Sequence, residues 1–211
     1  MKVNSTGRKK RITIMQLVDR TLKTLTILSK YSDGLNLSDL SNELQIPISS
    51  THRVLQSLKE SGFVIQDEIT KRYQLSYKII SISQNIRRND TLIHHAYFEM
   101  KKLSQLLQKN VILCVLNEDK VMNLECVEYG NTSMFRVKKG YESPWYLTSA
   151  GRAIVSMMDY GNKEKMIDNA HLEPVTKKSI VDKVVLKSEL TKVQTQGYCI
   201  LDEELQENVQ G

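Results

Sequence analysis
Between Leu37 and Arg72 the apolar positions mark out two short helices around a turn at Gln45-Ile46-Pro47. In the second, Thr51, Val54, Leu55 and Leu58 fall at i, i+3, i+4 and i+7, the spacing of one helical face. The opposite face carries Ser49, Arg53 and Gln56, with Ser50 and His52 on its flanks. The segment therefore buries one side and offers short polar groups and an arginine on the other. Gly62 is a stop signal. Phe63–Gln66 and Arg72–Leu75 then read as two short strands around a polar, basic turn, Asp67–Lys71. Helix, turn, helix and wing in that order is the geometry that lays a recognition helix in a DNA major groove. A three-helix core of this kind also serves elsewhere as a protein contact.

Upstream, Val18, Leu22, Leu25 and Leu28 mark the core face of a first helix over residues 17–31, stopped by Asp33-Gly34. Leu37 and Ser38 have the form of a staple and cap for the second helix, with Leu40 and Leu44 facing inward. Residues 1–13 are a basic arm (Arg8, Lys9, Lys10, Arg11), expected to be unstructured in isolation. Such an arm either touches phosphates or a minor groove or is a plain terminus.

Downstream, residues 75–86 suit a linker helix with Ile79, Ile82 and Ile86 along one stripe. Arg87–Asp90 reads as a polar break or solvated turn, which places a domain boundary at 89/90. Residues 91–109 form a strong helix whose Ile93, Ala96, Met100, Leu103 and Leu107 make a heptad-like seam or the face of a helix packed on its own sheet. Strands follow at Val111–Leu116 and Val121–Val127 around the turn Asn117–Lys120, with a third candidate at Thr132–Lys138. Gly140–Trp145 reads as a loop, and Tyr146–Ile154 as a capped helix start with a glycine in its first turn. Further helices are expected at 163–170 and 182–196, the last capped by Gly197, and then a short strand at Tyr198–Leu201. The second domain is thus α+β.

Composition adds one discriminating fact. The chain has 211 residues, 40% hydrophobic and 26% charged, ordinary for one large or two small domains. Its net charge of +6 is unevenly placed. Residues 1–90 hold 15 Lys and Arg against 8 Asp and Glu, a net +7; residues 91–211 hold 15 against 16, a net −1. Excess positive charge on the segment that carries the motif favours a polyanion, because neutralised phosphates release counterions. There is no run of about 18 apolar residues to span a membrane and no signal-peptide core at the N-terminus. Cys114, Cys126 and Cys199 sit among apolar residues and read as reduced cysteines of a cytoplasmic protein.

At this point the residues carry a resemblance. Asp19, Arg20 and Leu22; Ile46 and Pro47; Ser50, Thr51, Arg53 and Leu55; Gly62 and Phe63; and Arg72-Tyr73-x-Leu75 together resemble the N-terminal domain of the IclR (isocitrate lyase regulator type) family of bacterial transcription factors. Pro144–Ala153 is similar to that family's effector-domain signature, with Ser149 where the family usually has alanine. Thr176–Ile180, and Gly197-Tyr198 followed by Asp202-Glu203-Glu204, resemble further family motifs. The resemblance implies a winged helix-turn-helix and linker helix over residues 1–89 and a GAF-like effector-binding domain over 90–211. It also implies that the second domain lacks its last strands, since family members continue beyond the position of Gly211.

Site expectations follow. Ser49, Ser50, His52 and Arg53 are placed to reach base edges from the first half of the recognition helix, with Gln56 behind them. Arg20, Lys71 and Arg72 are phosphate candidates, Ser38 is a further DNA-binding candidate, and the Thr51 hydroxyl is a weaker phosphate candidate on a core-facing residue. For an effector, Thr148, Ser149, Ala150 and Gly151 offer a helix start suited to a carboxylate, or simply a cap. Met122, Phe135, Trp145, Tyr146 and Cys199 either line an apolar pocket or are plain core. Adjacent His94 and His95 project about 100° apart and cannot share one metal. His52 and His171 lack partner spacing, and no catalytic or nucleotide-binding motif is present. The expectation is a non-enzymatic regulator without cofactor or metal. It binds double-stranded operator DNA as a homodimer or dimer of dimers, nucleoid-associated when bound, and answers a small carboxylic or aromatic acid. The competing expectations are an interaction module, and a second domain that only dimerises.

Overall fold
The computed structural model describes residues 5–130 and 138–211, with side chains from Gln16 onward. The chain divides into two compact units, Met1–Asn89 and Asp90–Gly211.

The first unit contains α1 (Ser5–Leu28), α2 (Leu37–Leu44), α3 (Ile48–Glu60), β1 (Val64–Gln66), β2 (Tyr73–Leu75) and α4 (Lys78–Asn89). Its core is Leu28, Leu35, Leu40, Val54, Leu55, Leu58, Val64 and Tyr73. The i, i+3, i+4, i+7 face of α3 is buried throughout: Thr51, Val54, Leu55 and Leu58. Gln45 takes the left-handed conformation that closes α2, and the buried Ser41 hydroxyl donates to the Ile46 carbonyl at 2.6 Å. Gly62, at φ +74°, lets Phe63 N–H reach the Leu58 carbonyl at 2.9 Å and its own N–H reach Lys59 at 2.9 Å. That pair of bonds is the Schellman ending of a helix, for which glycine is the least strained residue. β1 and β2 pair antiparallel, Val64 opposite Leu75 and Gln66 opposite Tyr73. Leu35 adds a third rung through mutual bonds with Tyr73 at 3.1 and 2.7 Å.

Several expectations are corrected here. The first helix spans Ser5–Leu28 rather than 17–31, so part of the arm is helical. Leu28 is buried on its core face, but Val18 and Leu22 are more than half exposed. The short α2 and α3 cover only the C-terminal turns of α1. Asn36, not Ser38, caps α2: its side-chain oxygen accepts from Asp39 N–H at 2.8 Å. Arg87–Asn89 continue α4 instead of breaking it, because Asp90 suffices to start the next helix by accepting from Ile93 N–H at 3.1 Å.

The second unit contains α5 (Thr91–Leu107), β3 (Val111–Asn117), β4 (Lys120–Val127), β5 (Glu142–Pro144), a 3-10 turn (Trp145–Leu147), α6 (Ser149–Ser156), α7 (Tyr160–Asn169) and α8 (Lys183–Gln196). Among the described residues its sheet is antiparallel in the order β3-β4-β5, with a bulge between Leu113 and Cys114. α5 packs on β3 and β4 through Ile93, Met100 and Ser104; Leu103 and Leu107 are exposed, so the expected seam is only half buried. The loop expected at 140–145 holds β5, since pairing with β4 satisfies its backbone. Tyr198–Leu201 is not a strand; the nearby pairing is a single bridge between Asp202 and Gln210. The candidate strand at 132–138 lies, apart from Lys138, outside the described residues. The core joins Val121, Trp145, Tyr146 and Leu147 to Val155, Ile167, Leu186 and Leu190.

Candidate nucleic-acid interface
α3 presents Ser49, His52, Arg53 and Gln56 to solvent, with Ser50 half-buried beside them. Ser49, Arg53 and Gln56 share the face opposite the core and Ser50 and His52 flank it, because a helix turns about 100° per residue. Gln56 donates to Glu60 at 2.9 Å, one turn on. Thr51 is corrected: its side chain is fully buried, and its hydroxyl donates to the Pro47 carbonyl at 3.3 Å, so it cannot meet a phosphate from where it sits. Ser38 is exposed in the first turn of α2, and Arg20 is half-buried on α1.

The wing brings Lys71 and Arg72 to the surface. Its turn is held by Asp67, one carboxylate oxygen of which accepts from Thr70 N–H (2.6 Å), Thr70 Oγ1 (2.8 Å) and Ile69 N–H (3.1 Å). These bonds, led by Thr70 N–H, hold the Asp67 carboxyl below its usual range. Lys59 of α3 donates to Gln66 at 2.9 Å, and Gln66 donates to the Lys71 carbonyl at 3.1 Å, which ties helix to wing.

In the second unit the effector candidates disperse. Thr148 caps α6, accepting from Gly151 N–H at 3.0 Å. A Cβ at Gly151 would overlap the Trp145 carbonyl oxygen and lie 2.7 Å from Thr148 Oγ1, so the glycine admits neighbouring backbone. Ser149 and Ala150 are half-buried in the same turn. Tyr146 is buried, donating to the His171 carbonyl at 2.7 Å and accepting from Glu173 N–H at 3.2 Å. It lines a cleft of about 620 Å³ with Trp145, Met166, Ala170 and the hairpin tip Glu118–Lys120. Met122 and Cys199 are half-buried and do not line that cleft; Phe135 lies outside the described residues. Burial raises the Cys199 thiol, and likewise Cys114 and Cys126; all three are free.

Sequence reasoning missed a buried clasp. Arg152, 2% exposed, donates to the Tyr146 carbonyl at 2.8 Å and makes a two-pronged pair with Glu204 at 3.0 and 2.5 Å. Thr176 and Ser179 hydroxyls donate to the Glu203 and Glu204 carbonyls at 2.7 Å each. All six residues lie in or beside the second-domain motifs quoted above, which was the available signal. Among the described residues, no group of three or more His, Cys, Asp or Glu is placed to hold a metal. No helix there is long and apolar enough to cross a membrane.

Comparison with known proteins agrees with this architecture. The IclR helix-turn-helix domain model matches residues 17–68, and the model for the bacterial transcriptional regulator IclR C-terminal domain matches 84–211. The HTH-type transcriptional regulator KdgR of Escherichia coli is 24% identical over 194 residues, 91% of this chain and 74% of KdgR. The transcriptional repressor IclR of the same organism is 21% identical, over 90% of this chain and 70% of that protein. The crystal structure of an IclR transcriptional regulator from Alicyclobacillus acidocaldarius shares the fold, with a TM-score of 0.80 at 22% identity, over 92% of this chain and 79% of that one. An IclR homologue from Microbacterium hydrocarbonoxydans, crystallised with 4-hydroxybenzoate, gives 0.74 at 19%, with the same coverage. A helix-turn-helix unit followed by a matching C-terminal domain makes this chain a member of the IclR family of DNA-binding bacterial transcriptional regulators.

Proposed function
We propose that residues 1–89 read an operator and that residues 90–211 answer a small carboxylic or aromatic acid. The observation that carries the first half is the division of α3 into a wholly buried apolar face and an exposed Ser49, His52, Arg53, Gln56 face. Ser49, Ser50, His52 and Arg53 read base edges; Gln56 supports them; Arg20, Lys71 and Arg72 position the unit on phosphates, and Ser38 makes a further DNA contact. Two heads act together as a homodimer or dimer of dimers, because one recognition helix contacts few bases and a palindromic operator needs two-fold symmetry. The protein works in the cytoplasm, on the chromosome.

Support for an effector comes from the relative crystallised with 4-hydroxybenzoate. The candidates are the α6 start, Thr148–Gly151, and the residues Met122, Phe135, Tyr146 and Cys199. Such a ligand shifts operator affinity by no more than its differential affinity for the two states.

The deciding experiment compares binding to DNA upstream of the protein's own gene with binding to unrelated DNA at two salt concentrations. Arg53→Ala is expected to lose about 1–3 kcal/mol of specific binding and to relax preference at one base position. Equal, weak binding of both DNAs would remove the operator reading. For the second unit, a panel of aromatic and aliphatic acids including 4-hydroxybenzoate is expected to contain one that raises the melting temperature. A flat response across the panel favours a second domain that only dimerises.

A further inference from the structure
Ile69 is 91% exposed, more than any other large hydrophobic residue described. It stands in the wing turn between β1 and β2 and belongs to no part of the cluster that closes the first unit. A β-branched apolar side chain does nothing for a turn, where Gly, Asn and Asp are the favoured residues. Yet the turn that displays it is firmly held. Asp67 accepts three bonds, including one from Ile69 N–H itself. Asp67 N–H donates to the Arg72 carbonyl at 2.9 Å and Lys71 N–H to the Asp67 carbonyl at 3.0 Å. Gln66 then connects the turn to Lys59 on the helix that carries Arg53. The exposed cations Lys71 and Arg72 follow it in sequence, and the only acid beside it other than Asp67 is the exposed Glu68.

We infer that Ile69 is an apolar minor-groove contact, set by the rigid wing against the deoxyribose walls of the groove next to the one read by α3. This rests on the operator reading proposed above. The walls of a minor groove are apolar and its rims are phosphates, so an exposed isoleucine followed by Lys71 and Arg72 matches it in both respects. Proteins that engage this groove use basic and amide side chains and frequently add an apolar one beside them. The contact reads groove width and deformability, and so adds preference at base pairs that α3 does not touch.

The test uses the full chain and the specific site located by footprinting. Ile69→Ala is expected to weaken specific binding roughly tenfold, the equivalent of losing about two buried methylene groups. The salt slope stays unchanged, because no phosphate contact is lost. Lys71→Ala instead lowers the slope by about one. Glu68→Gln tightens binding by removing a like charge. Hydroxyl-radical protection disappears in Ile69→Ala only at the flanking minor groove. Replacing guanine there with inosine, which removes the minor-groove amino group and keeps the major-groove edge, strengthens the parent protein and leaves Ile69→Ala unmoved.

Parent-like affinity and protection in Ile69→Ala would overturn the inference, as would a loss spread over the whole footprint. The latter would point to the wing as structural or as a protein contact. If the parent chain shows no specific site, or Arg53→Ala binds like the parent, the operator reading itself fails, which is a different result from an intact Arg53 effect with a silent Ile69.

Discussion
Thr51 and Arg53 are two positions apart on α3 and face opposite ways because each step along a helix rotates about 100°. One closes the core and the other is free to meet a partner. This distinction was legible from spacing alone. The role of Glu204 was not: within Asp202-Glu203-Glu204 it resembles a solvated acidic turn, and its partner Arg152 is 52 residues away. Arg152→Met is expected to cost about 3–5 kcal/mol, since it strands a largely buried carboxylate, and the added change Glu204→Leu to recover most of that. Urea unfolding of the three proteins checks this; additive losses would show that the two residues do not act as a pair. Asp67 carries a pH prediction. Its carboxyl ionises at lower pH in the folded chain than the ordinary 3.8. Its contribution is therefore present above that ordinary value and lost as pH falls through the folded one. The stability gap between the parent and Asp67→Asn should be open at about pH 6 and narrow at about pH 3. A gap that does not change with pH would mean the ionised form is not what the turn uses.

At the scale of elements, periodicity and capping signals located each α-helix of the described chain, several with shifted bounds, but said less about what covers each one. The apolar stripe of α1 reads as core along its length, yet Val18 and Leu22 are exposed because α2 is only 8 residues long. α4 has no buried residue at all, although its isoleucines repeat at helical spacing. Boundaries slipped where two residues compete for a cap. Leu37 and Ser38 have the form of a staple and cap, but the Asn36 side chain accepts the Asp39 N–H. Asn36→Ala is expected to lower stability by about 1 kcal/mol, while Ser38→Ala stays within about 0.5 kcal/mol of the parent. Thermal melts of both would reveal the reverse order if the serine were the cap. β5 escaped the sequence reading because three residues with a proline at the end carry too little alternation to mark a strand.

For the molecule as a whole, the uneven charge was the most informative quantity. It coincides with the unit whose surface displays Arg53, Lys71 and Arg72, and both halves match domain models of one family. The second unit was legible as α+β from alternating strand and helix patterns. The effector candidates did not form one site, because residues chosen by type, such as Met122, Tyr146 and Cys199, are brought to different places by contacts far apart in sequence.

The two units also differ in when they can be completed during synthesis. The first has its last core side chains, Tyr73 and Leu75, in hand once 75 residues exist. The second waits for Glu204 to close on Arg152. At about 5–20 residues per second, a ribosome takes roughly 6–26 s to cover the difference. During that interval each nascent chain carries a finished reading head and an open, unclasped partner unit, so newly made protein has a period in which its head exists before the clasp of its second unit can form.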